Sequence, residues 1–291
     1  MSTNGGLVIL TEMLPILPPS EKKIAAYIIE HPQEAISLTA MELGKRSSTS
    51  GAAVIRLCKS LNLKGFQDLK LRIAGDLQRE DVAGYHDIEP NEDSRSVIEK
   101  MTNNSIQTIR ETAELLNVDE VNKAVEALRE AGRIHFIGVG ASSIIAQDAQ
   151  QKFLRINKSA YAFTDMHMAA TQVANSTEQD VVVGISFSGE TIEVAKVLEL
   201  ARKKGARTIS LTKYGNYKVT DQADINLYTS ATREPTFRSG ATSSRIAQLQ
   251  VIDIVFMCVA SLQYDETLKH LDATRDAVEF LTNNKERTNK S

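Results

Sequence analysis

The pattern of apolar and polar positions divides the chain into an all-helical first third and a remainder in which strands and helices alternate. Ile24 and Ile28 recur at helical spacing after Ser20, a residue suited to cap a helix. Pro32 ends this helix, because proline disfavours a helical conformation in the residue before it. The further helices predicted in this part cover residues 39–46, residues 50–61 and a stretch after residues 64–66.

A polar, acidic stretch follows the helical part. Between residues 80 and 93 apolar residues are sparse, and Gly84 and Pro90 interrupt regular structure, so we interpret this stretch as a linker. Helices are predicted after it, over residues 94–116 and 118–131. The predicted organisation is a helical domain over residues 1–79, a linker and connecting helix over 80–117, a second domain over 118–270, and a C-terminal helix and tail over 271–291.

The second domain alternates strand-like and helical stretches. Residues 181–185, Val-Val-Val-Gly-Ile, form a nearly continuous apolar run, which is typical of a parallel strand covered on both faces. Alternation of such strands with helices predicts a doubly wound α/β domain with a five-stranded parallel sheet. The predicted strands cover residues 133–139, 159–163, 180–186, 207–212 and 223–228, and the predicted helices cover residues 142–155, 166–175, 191–204 and 243–262.

Residues 39–59 have the pattern of a helix-turn-helix. Two short helices meet at a tight polar turn, and Gly44 stands where the first helix must let the second approach. Ser50 is suited to cap the second helix, which is worth about 1 kcal/mol. The predicted shared core consists of Leu43, Val54 and Leu57. An ordinary helical hairpin with a solvated basic face is the alternative interpretation.

The outer face of the second helix suits the major groove of DNA. It begins with the small residues Ser50, Gly51 and Ala53, which let the backbone approach bases and phosphates. Arg56 is a candidate for a guanine contact, worth about 1–3 kcal/mol of discrimination when bidentate. Lys59, Lys64, Lys70 and Arg72 are expected to contact phosphates, which position a protein without specifying sequence. The predicted DNA-binding residues are Ser48, Thr49, Ser50, Gly51, Ala53, Arg56, Lys59 and Lys64.

A first candidate anion site follows the first predicted strand. Gly138 and Gly140 allow a tight turn, and Ser142 and Ser143 bring hydroxyls to the start of a helix. A dinucleotide site is the alternative, although Ser143 occupies the third glycine position of the GxGxxG pattern. Asp165, after the second predicted strand, would then take the place of the acid that binds ribose.

Residues 186–191, with the sequence Ser-Phe-Ser-Gly-Glu-Thr, form a second candidate anion site, which is better defined than the first. Ser186, Ser188 and Thr191 place three hydroxyls around one helix start, and Gly189 lets the backbone wrap. The turn lacks the lysine of a Walker loop, which argues against a nucleotide triphosphate with magnesium and favours one phosphomonoester. Ligands of open α/β sheets collect at the carboxyl ends of strands, where this turn lies. The alternative is that these serines only cap the helix.

A third segment, residues 233–245, follows the last predicted strand and precedes a long apolar helix. Arg238 is a candidate to meet a phosphate or a carboxylate of a partner, and Glu234 a candidate to accept sugar hydroxyls or to act as a base. Salt bridges within the loop are the alternative. The apolar helix that follows is expected to serve as core or as a dimer contact.

Composition and charge set the broad class. A chain of 291 residues with 42% hydrophobic and 24% charged residues is typical of a soluble protein of two domains, and its apolar runs fall short of the roughly 20 residues that span a bilayer. Cys58 and Cys258 form no CxxC pair, so neither a disulfide framework nor a zinc site is predicted. Residues 1–79 contain 10 Lys and Arg against 7 Asp and Glu, which permits DNA binding. With no signal-peptide pattern at its start, the protein is expected in the cytoplasm.

Taken together, these segments resemble the RpiR/MurR family of bacterial transcriptional regulators, over nearly the whole chain. Residues 186–191 are similar to the phosphosugar signature of the sugar isomerase (SIS) domain. Residues 9–72 resemble most the members that respond to N-acetylmuramic acid 6-phosphate or related amino-sugar phosphates. The other segments that carry the resemblance are residues 18–25, 53–61, 64–66 and 234–246.

The resemblance implies a helix-turn-helix domain that binds a double-stranded DNA operator, followed by a SIS domain that binds a phosphosugar effector. It also implies a homodimer or homotetramer that is not an enzyme and needs no cofactor. Gly51 and Ala52 stand where many relatives carry larger side chains, which leaves Ser50 and Arg56 as the base contacts to expect. The effector-binding residues it implies are Gly140, Ala141, Ser142, Ser186, Ser188, Gly189, Thr191, Glu234 and Arg238.

An enzyme with the same fold is the rival hypothesis, because related pockets serve both catalysis and sensing. It would be a sugar-phosphate isomerase or etherase with Glu234 as its base. The helix-turn-helix favours regulation, since an isomerase does not need one.

Overall fold

The computed structural model describes residues 5–77, 87–231 and 241–282. The first of these ranges, which we call the head, is helical, and its helices enclose one apolar core in which Leu10, Ile24, Leu57 and Ile73 have no exposed surface. The helices of the head are α1 (Gly6–Met13), α2 (Pro19–Glu30), α3 (Pro32–Ala35), α4 (Ala40–Arg46), α5 (Gly51–Ser60) and α6 (Phe66–Leu77).

Side-chain caps fix where the two central helices of the head begin. At α4, the Thr39 hydroxyl accepts a hydrogen bond from the Glu42 backbone N–H over 3.3 Å, and the Glu42 carboxylate accepts one from the Thr39 N–H over 2.8 Å. At α5, the Ser50 hydroxyl accepts a hydrogen bond from the Ala53 N–H over 3.3 Å. The predicted cap at Ser50 is therefore confirmed.

Two helices lead from the head to the sheet: α7 (Ser94–Leu115) and α8 (Val118–Glu130), which end within a residue of their predicted limits. The Asp93 carboxylate caps α7 by accepting hydrogen bonds from the backbone N–H groups of Arg95 and Ser96. The last residue of α7, Leu115, is buried in the core of the head, so this helix is anchored there.

The chain from α8 onward, which we call the body, is built on one all-parallel sheet of five strands in the order β2-β1-β3-β4-β5. This confirms the predicted doubly wound α/β fold. The strands are β1 (Arg133–Gly138), β2 (Ala160–Phe163), β3 (Asp180–Ile185), β4 (Arg207–Lys213) and β5 (Ile225–Thr229). The other helices described are α9 (Ala141–Arg155), α10 (Met166–Val173), α11 (Ile192–Lys203), α12 (Thr242–Leu262) and α13 (Tyr264–Thr282), with a short 3-10 helix at Thr220–Gln222.

Helices cover both faces of the sheet, which explains why its strands are apolar on both sides. Phe136 faces α9 and α12 and packs with Phe153 of α9, whose ring centroid is 5.5 Å away. On the other face, Val182 packs with Val173 of α10 and Leu198 of α11. Because the chain passes from β1 outward to β2 and then returns to β3, a crevice opens between the carboxyl ends of β1 and β3.

The long apolar helix α12 is part of the core of the body. Among the described residues, it is the one helix whose length and composition would suffice to cross a bilayer. However, Val251, Val255 and Val259 lie in the core that covers one face of the sheet. The helix that follows, α13, begins at Tyr264, before the C-terminal helix and tail predicted from residue 271.

Candidate functional sites

The helix-turn-helix of the head forms by close backbone contact between α4 and α5. A Cβ built on Gly44 would lie 2.5 Å from the carbonyl carbon of Ser50, so only glycine permits this approach. Behind it, the three residues of the predicted shared core have no exposed surface. The structure thus confirms the role predicted for Gly44 and for the core residues Leu43, Val54 and Leu57.

Most of the predicted DNA-binding residues meet at the start of α5. A shallow cavity of about 320 Å³ there is lined by Ser48, Thr49, Ser50, Ala53 and Arg56. The start of α2 completes it with residues that sequence reasoning missed: Pro19, Ser20 and Lys23. The exposed charge of Lys23 was the signal that could have identified this second edge. Ser20, which was expected to cap α2, instead lies within that helix, because Pro18 is its N-cap and Pro19 its first residue.

Ala53 touches the cavity at the start of α5 but, contrary to the prediction from the sequence, it does not lie on the exposed outer face of the helix. Ala53 is 1% exposed and belongs to the core of the head, whereas Ala52 is exposed. The reason is helical periodicity, since Ala53 precedes the buried Leu57 by four residues and therefore falls on the same face of α5. The exposed small residue after Gly51 is thus Ala52.

Arg56 is held near α2 without being buried. Its guanidinium Nε lies 3.9 Å from a carboxylate oxygen of Glu21, and the Arg56 side chain is 57% exposed. The Glu21 side chain is only 6% exposed, and its other oxygen accepts a 2.7 Å hydrogen bond from the Ser60 hydroxyl. A buried carboxylate thus lies beside Nε of Arg56, while the side chain remains largely accessible.

The remaining basic residues are divided between two surfaces. Lys59 is exposed on α5. Lys64 and Arg72 instead line a cavity between the head and the body, and Arg72 pairs with Asp68 over 3.1 Å. Lys70 donates a hydrogen bond to the carbonyl of Leu38 over 3.2 Å. The structure does not bring Lys64 and Arg72 to the cavity at the start of α5.

In the body, two predicted turns meet in one pocket: residues 138–143, which we call the first serine turn, and residues 186–191, which we call the second serine turn. The pocket has a volume of about 230 Å³ and lies at the carboxyl ends of β1 and β3, at the crevice between these strands. The predicted effector-binding residues that line it are Ala141, Ser142, Ser186, Ser188 and Thr191, and the rest of its described lining is Val139, Phe187, Ala241, Ser244 and Gln248.

Hydrogen bonds and two glycines shape these turns. The hydroxyls of Ser186 and Thr191 are 2.8 Å apart, and the Ser188 hydroxyl accepts a hydrogen bond from the Glu190 N–H over 3.2 Å. Gly140 and Gly189 have φ angles of +59° and +72°, a conformation that favours glycine. Neither glycine lines the pocket, but both shape its turns as predicted.

Sequence reasoning missed Gln248, a buried polar residue of α12. It is 1% exposed, and its amide donates a hydrogen bond to the Ser142 hydroxyl over 3.2 Å. This bond joins α12 to the first serine turn and holds one pocket hydroxyl in place. An amide on the core-facing side of a mostly apolar helix was the available signal, because buried polar groups require partners.

The chemistry of the described lining suits an anion. Hydroxyls, one amide and the N-termini of α9 and α11 converge there, and helix N-termini favour negative charge. No charged side chain lines the pocket within the ranges that the structure describes. The predicted Glu234 and Arg238 lie outside the described residues.

The structure argues against a dinucleotide site, because Asp165, the acidic residue that would bind ribose, has another role. The Asp165 carboxylate caps α10 by accepting hydrogen bonds from the N–H groups of His167 and Met168, at 2.7 and 3.2 Å. It therefore has a structural role at that helix start. Across residues 5–77, 87–231 and 241–282, no group of three or more His, Cys, Asp or Glu is placed to hold a metal ion.

A helix-turn-helix head on a doubly wound body with a hydroxyl-lined pocket defines a class: DNA-binding regulators that carry a sugar isomerase domain. Family models support both parts, since one described as "Helix-turn-helix domain, rpiR family" matches residues 4–80 and one described as "SIS domain" matches residues 127–258. A relative from Bacillus subtilis strain 168, named as the uncharacterized HTH-type transcriptional regulator YbbH, is 50% identical over 95% of this chain and 98% of its own. The chain therefore belongs to the rpiR family of HTH-type transcriptional regulators, as its resemblance predicted.

Two further comparisons concern what relatives of this architecture bind or do. The NanR protein of Vibrio vulnificus, solved in complex with ManNAc-6P, superposes on this chain with a TM-score of 0.60 at 26% sequence identity. The match covers 95% of this chain and 98% of the NanR chain. The bifunctional protein glk of Paraburkholderia xenovorans is 31% identical over 86% of this chain, but the match covers only 39% of glk.

Proposed function

We propose that this regulator is a cytoplasmic protein whose operator binding is controlled by an amino-sugar 6-phosphate held between the two serine turns. The observation that carries the proposal is the pocket at the carboxyl ends of β1 and β3. There Ser142, Ser186, Ser188 and Thr191 bring four hydroxyls together beside two helix N-termini. A phosphate dianion is the ligand group that such a site stabilises.

The DNA-binding part of the proposal rests on the start of α5. Its exposed side carries Ser50, Gly51 and Ala52 before Arg56, so the helix can approach base edges closely with one long donor side chain. The adjoining start of α2 adds Lys23, which we assign to a phosphate contact.

The sugar part of the proposal is supported by likeness to NanR, whose structure contains ManNAc-6P. N-acetylmuramic acid 6-phosphate, the effector implied by the resemblance of residues 9–72, shares its phosphomonoester and N-acetyl group. We therefore propose the class of N-acetylated amino-sugar 6-phosphates.

We further propose that the pocket senses this ligand without converting it. The described lining offers no acid or base, and the relative with the highest identity given above is named as a transcriptional regulator. We also propose a homodimer or homotetramer, supported by exposed apolar side chains such as Met257 on α12 and Phe280 on α13, which are 61% and 81% exposed.

Isothermal titration calorimetry of the full chain tests the pocket. ManNAc-6P is expected to bind, whereas ManNAc without its phosphate is not. Ser188→Ala should weaken binding at least about tenfold, because a hydrogen bond to a charged group is worth about 1.5–3 kcal/mol. Ser143→Ala is the matched control, because the Ser143 hydroxyl bonds to the Gly140 carbonyl over 2.7 Å and does not line the pocket. Equal affinity of Ser188→Ala and the wild type would remove this turn from the site.

A further inference from the structure

The segment between β4 and β5 contacts the second serine turn, residues 186–191, through the ring of Tyr217. A Cβ built on Gly189 would lie 2.6 Å from the Cβ and Cγ atoms of Tyr217, so the ring rests directly on the turn. The backbones are joined as well: the Val219 N–H donates to the Gly189 carbonyl and the Lys213 N–H to the Phe187 carbonyl, both over 3.0 Å. A movement of the turn must therefore move this segment.

The same segment reaches the end of α5 through a second tyrosine. The Tyr217 hydroxyl donates a hydrogen bond to the backbone carbonyl of Tyr214 over 3.3 Å, and the Tyr214 hydroxyl donates one to the carbonyl of Leu61 over 2.7 Å. Leu61 is the cap residue directly after the last residue of α5, and its carbonyl is one that the helix itself leaves without a partner. Although Tyr214 belongs to the body, it is 8% exposed and packs in the core of the head.

The junction around Tyr214 is otherwise loosely packed. A cavity of about 420 Å³ separates the two parts there, with Lys64 and Arg72 on the side of the head and Asn226 on the side of the body. The neighbouring polar contact, between Asn62 and Asn216, is 3.4 Å long and exposed. Because few other polar contacts join the two parts here, the Tyr214 ring and its hydrogen bond are placed to set how the end of α5 sits against the body.

We propose that Tyr214 is a positioning residue that transmits closure of the second serine turn on its ligand to the DNA-binding helix α5. The inference rests on the proposed function, since it concerns the regulation of that same pocket. In this mechanism, the turn tightens around the phosphate, Gly189 carries the Tyr217 ring with it, and the Tyr214 hydroxyl shifts the Leu61 carbonyl. The head then changes its position on the body without any contact between ligand and head.

A first experiment needs no ligand, because Gly189→Ala pushes on the Tyr217 ring directly. Amide hydrogen exchange of the full chain is measured at Leu61, Asn62 and Leu63, whose N–H groups bond within the last turn of α5. Tyr214→Phe, which keeps the ring and loses the hydroxyl, should speed this exchange about fivefold, the factor expected for one net hydrogen bond. Gly189→Ala should produce a similar increase in the wild type and no further increase in the Tyr214→Phe background.

Matched variants separate this chain of contacts from general loosening. Tyr228→Phe is the control, because its ring packs on Tyr214 at a centroid distance of 4.9 Å and no hydrogen bond of its hydroxyl is found in the described residues. It should leave the exchange at the end of α5 unchanged. If Gly189→Ala does not fold, Tyr217→Phe replaces it, because it removes the bond to the Tyr214 carbonyl. Additive effects of the turn variant and Tyr214→Phe, or an effect of Tyr228→Phe as large as that of Tyr214→Phe, would overturn the proposal.

A second experiment adds ManNAc-6P as the probe. In the wild type it should change exchange at the end of α5, and in Tyr214→Phe it should bind with the same calorimetric affinity but leave that exchange unaltered. An identical response of α5 in both proteins would refute the role of Tyr214 while leaving the pocket in place. If ManNAc-6P does not bind the wild type, the proposed ligand is wrong, and the ligand-free experiment alone decides the role of Tyr214.

Discussion

The carboxylate of Glu12 in α1 accepts a hydrogen bond from the backbone N–H of Ala231 over 2.7 Å, which joins the head to the chain just after β5. Burial raises the pKa of Glu12 from 4.5 to about 7. This pKa is a net value: burial is its largest cause and the negative charge of Glu111 on α7 adds to it, whereas the bond to Ala231, the charge of Lys213 and a bond to Ser230 lower it. The junction between head and body therefore contains a carboxyl group that titrates near neutral pH.

We predict that Glu12→Gln removes a pH dependence of stability. Because the folded pKa is raised, the folded state retains a proton that the unfolded state releases, so the wild type loses stability as the pH rises from 4.5 to about 7. Relative to Glu12→Gln, this loss should approach about 3 kcal/mol and remain constant at higher pH. Urea unfolding at a series of pH values measures it, and parallel stability curves for the two proteins would contradict the assignment.

Arg56→Ala should abolish sequence preference while sparing the pocket. The lost contact to a base is expected to cost about 1–3 kcal/mol for the preferred duplex and much less for random DNA. Fluorescence anisotropy with a duplex selected by the wild type measures this, with ManNAc-6P calorimetry to verify an intact body. The comparison variant is Lys59→Ala on the same helix, which should weaken both duplexes equally. If Arg56→Ala instead lost affinity equally for the selected duplex and for random DNA, Arg56 would contact a phosphate and not a base.

Gln248→Leu should weaken ManNAc-6P binding about tenfold. The Ser142 hydroxyl loses its 3.2 Å partner and is no longer fixed toward the ligand, and the buried hydroxyl also costs stability, about 1–3 kcal/mol if it stays unpaired. Gln250→Leu makes the same chemical change on the same helix, away from the pocket lining, and should bind normally. Calorimetry and thermal unfolding of both variants separate the two effects. Unchanged affinity in Gln248→Leu would show that the amide has no part in the site.

Gly44→Ala should destabilise the head by about 1–3 kcal/mol, the usual cost of forcing extra atoms into a packed site. Its added Cβ would lie 2.5 Å from the backbone of Ser50, so α4 and α5 would have to separate. Gly132→Ala provides the comparison, because its nearest atom would be at an ordinary 3.5 Å. Hydrogen exchange of the head amides should increase only in Gly44→Ala, and a native exchange pattern there would mean that the two helices can adjust.

Local signals in the sequence were sufficient for the helix-turn-helix and for both serine turns. Gly44, the Ser50 cap and the turn at residues 186–191 lie beside strands or helices whose periodicity is clear. The local sequence pattern therefore sufficed to locate each of them. The same periodicity, applied to Ala53, would have placed it on the buried face four residues before Leu57. Ala53 was placed on the outer face because its small size was given more weight than its angular position around the helix axis.

Contacts between distant parts of the chain could not be predicted in this way. Glu12 and Ala231 are 219 residues apart, and Tyr214 bonds to Leu61 across 153 residues. Nothing local marks either partner, because each contact exists only once the head packs on the body. Gln248 is an intermediate case: its polarity within α12 was visible, but its partner Ser142 was not.

The most direct test of the account is operator binding by the full chain with and without saturating ManNAc-6P, in the wild type and in Ser188→Ala. A duplex selected by the wild type serves as the operator, and fluorescence anisotropy gives each dissociation constant. The account predicts that saturating ManNAc-6P shifts the dissociation constant of the wild type at least tenfold and that Ser188→Ala needs at least about tenfold more ManNAc-6P to reach the same shift. A wild-type protein that binds ManNAc-6P in the calorimeter yet holds the duplex with the same dissociation constant in its presence would contradict it.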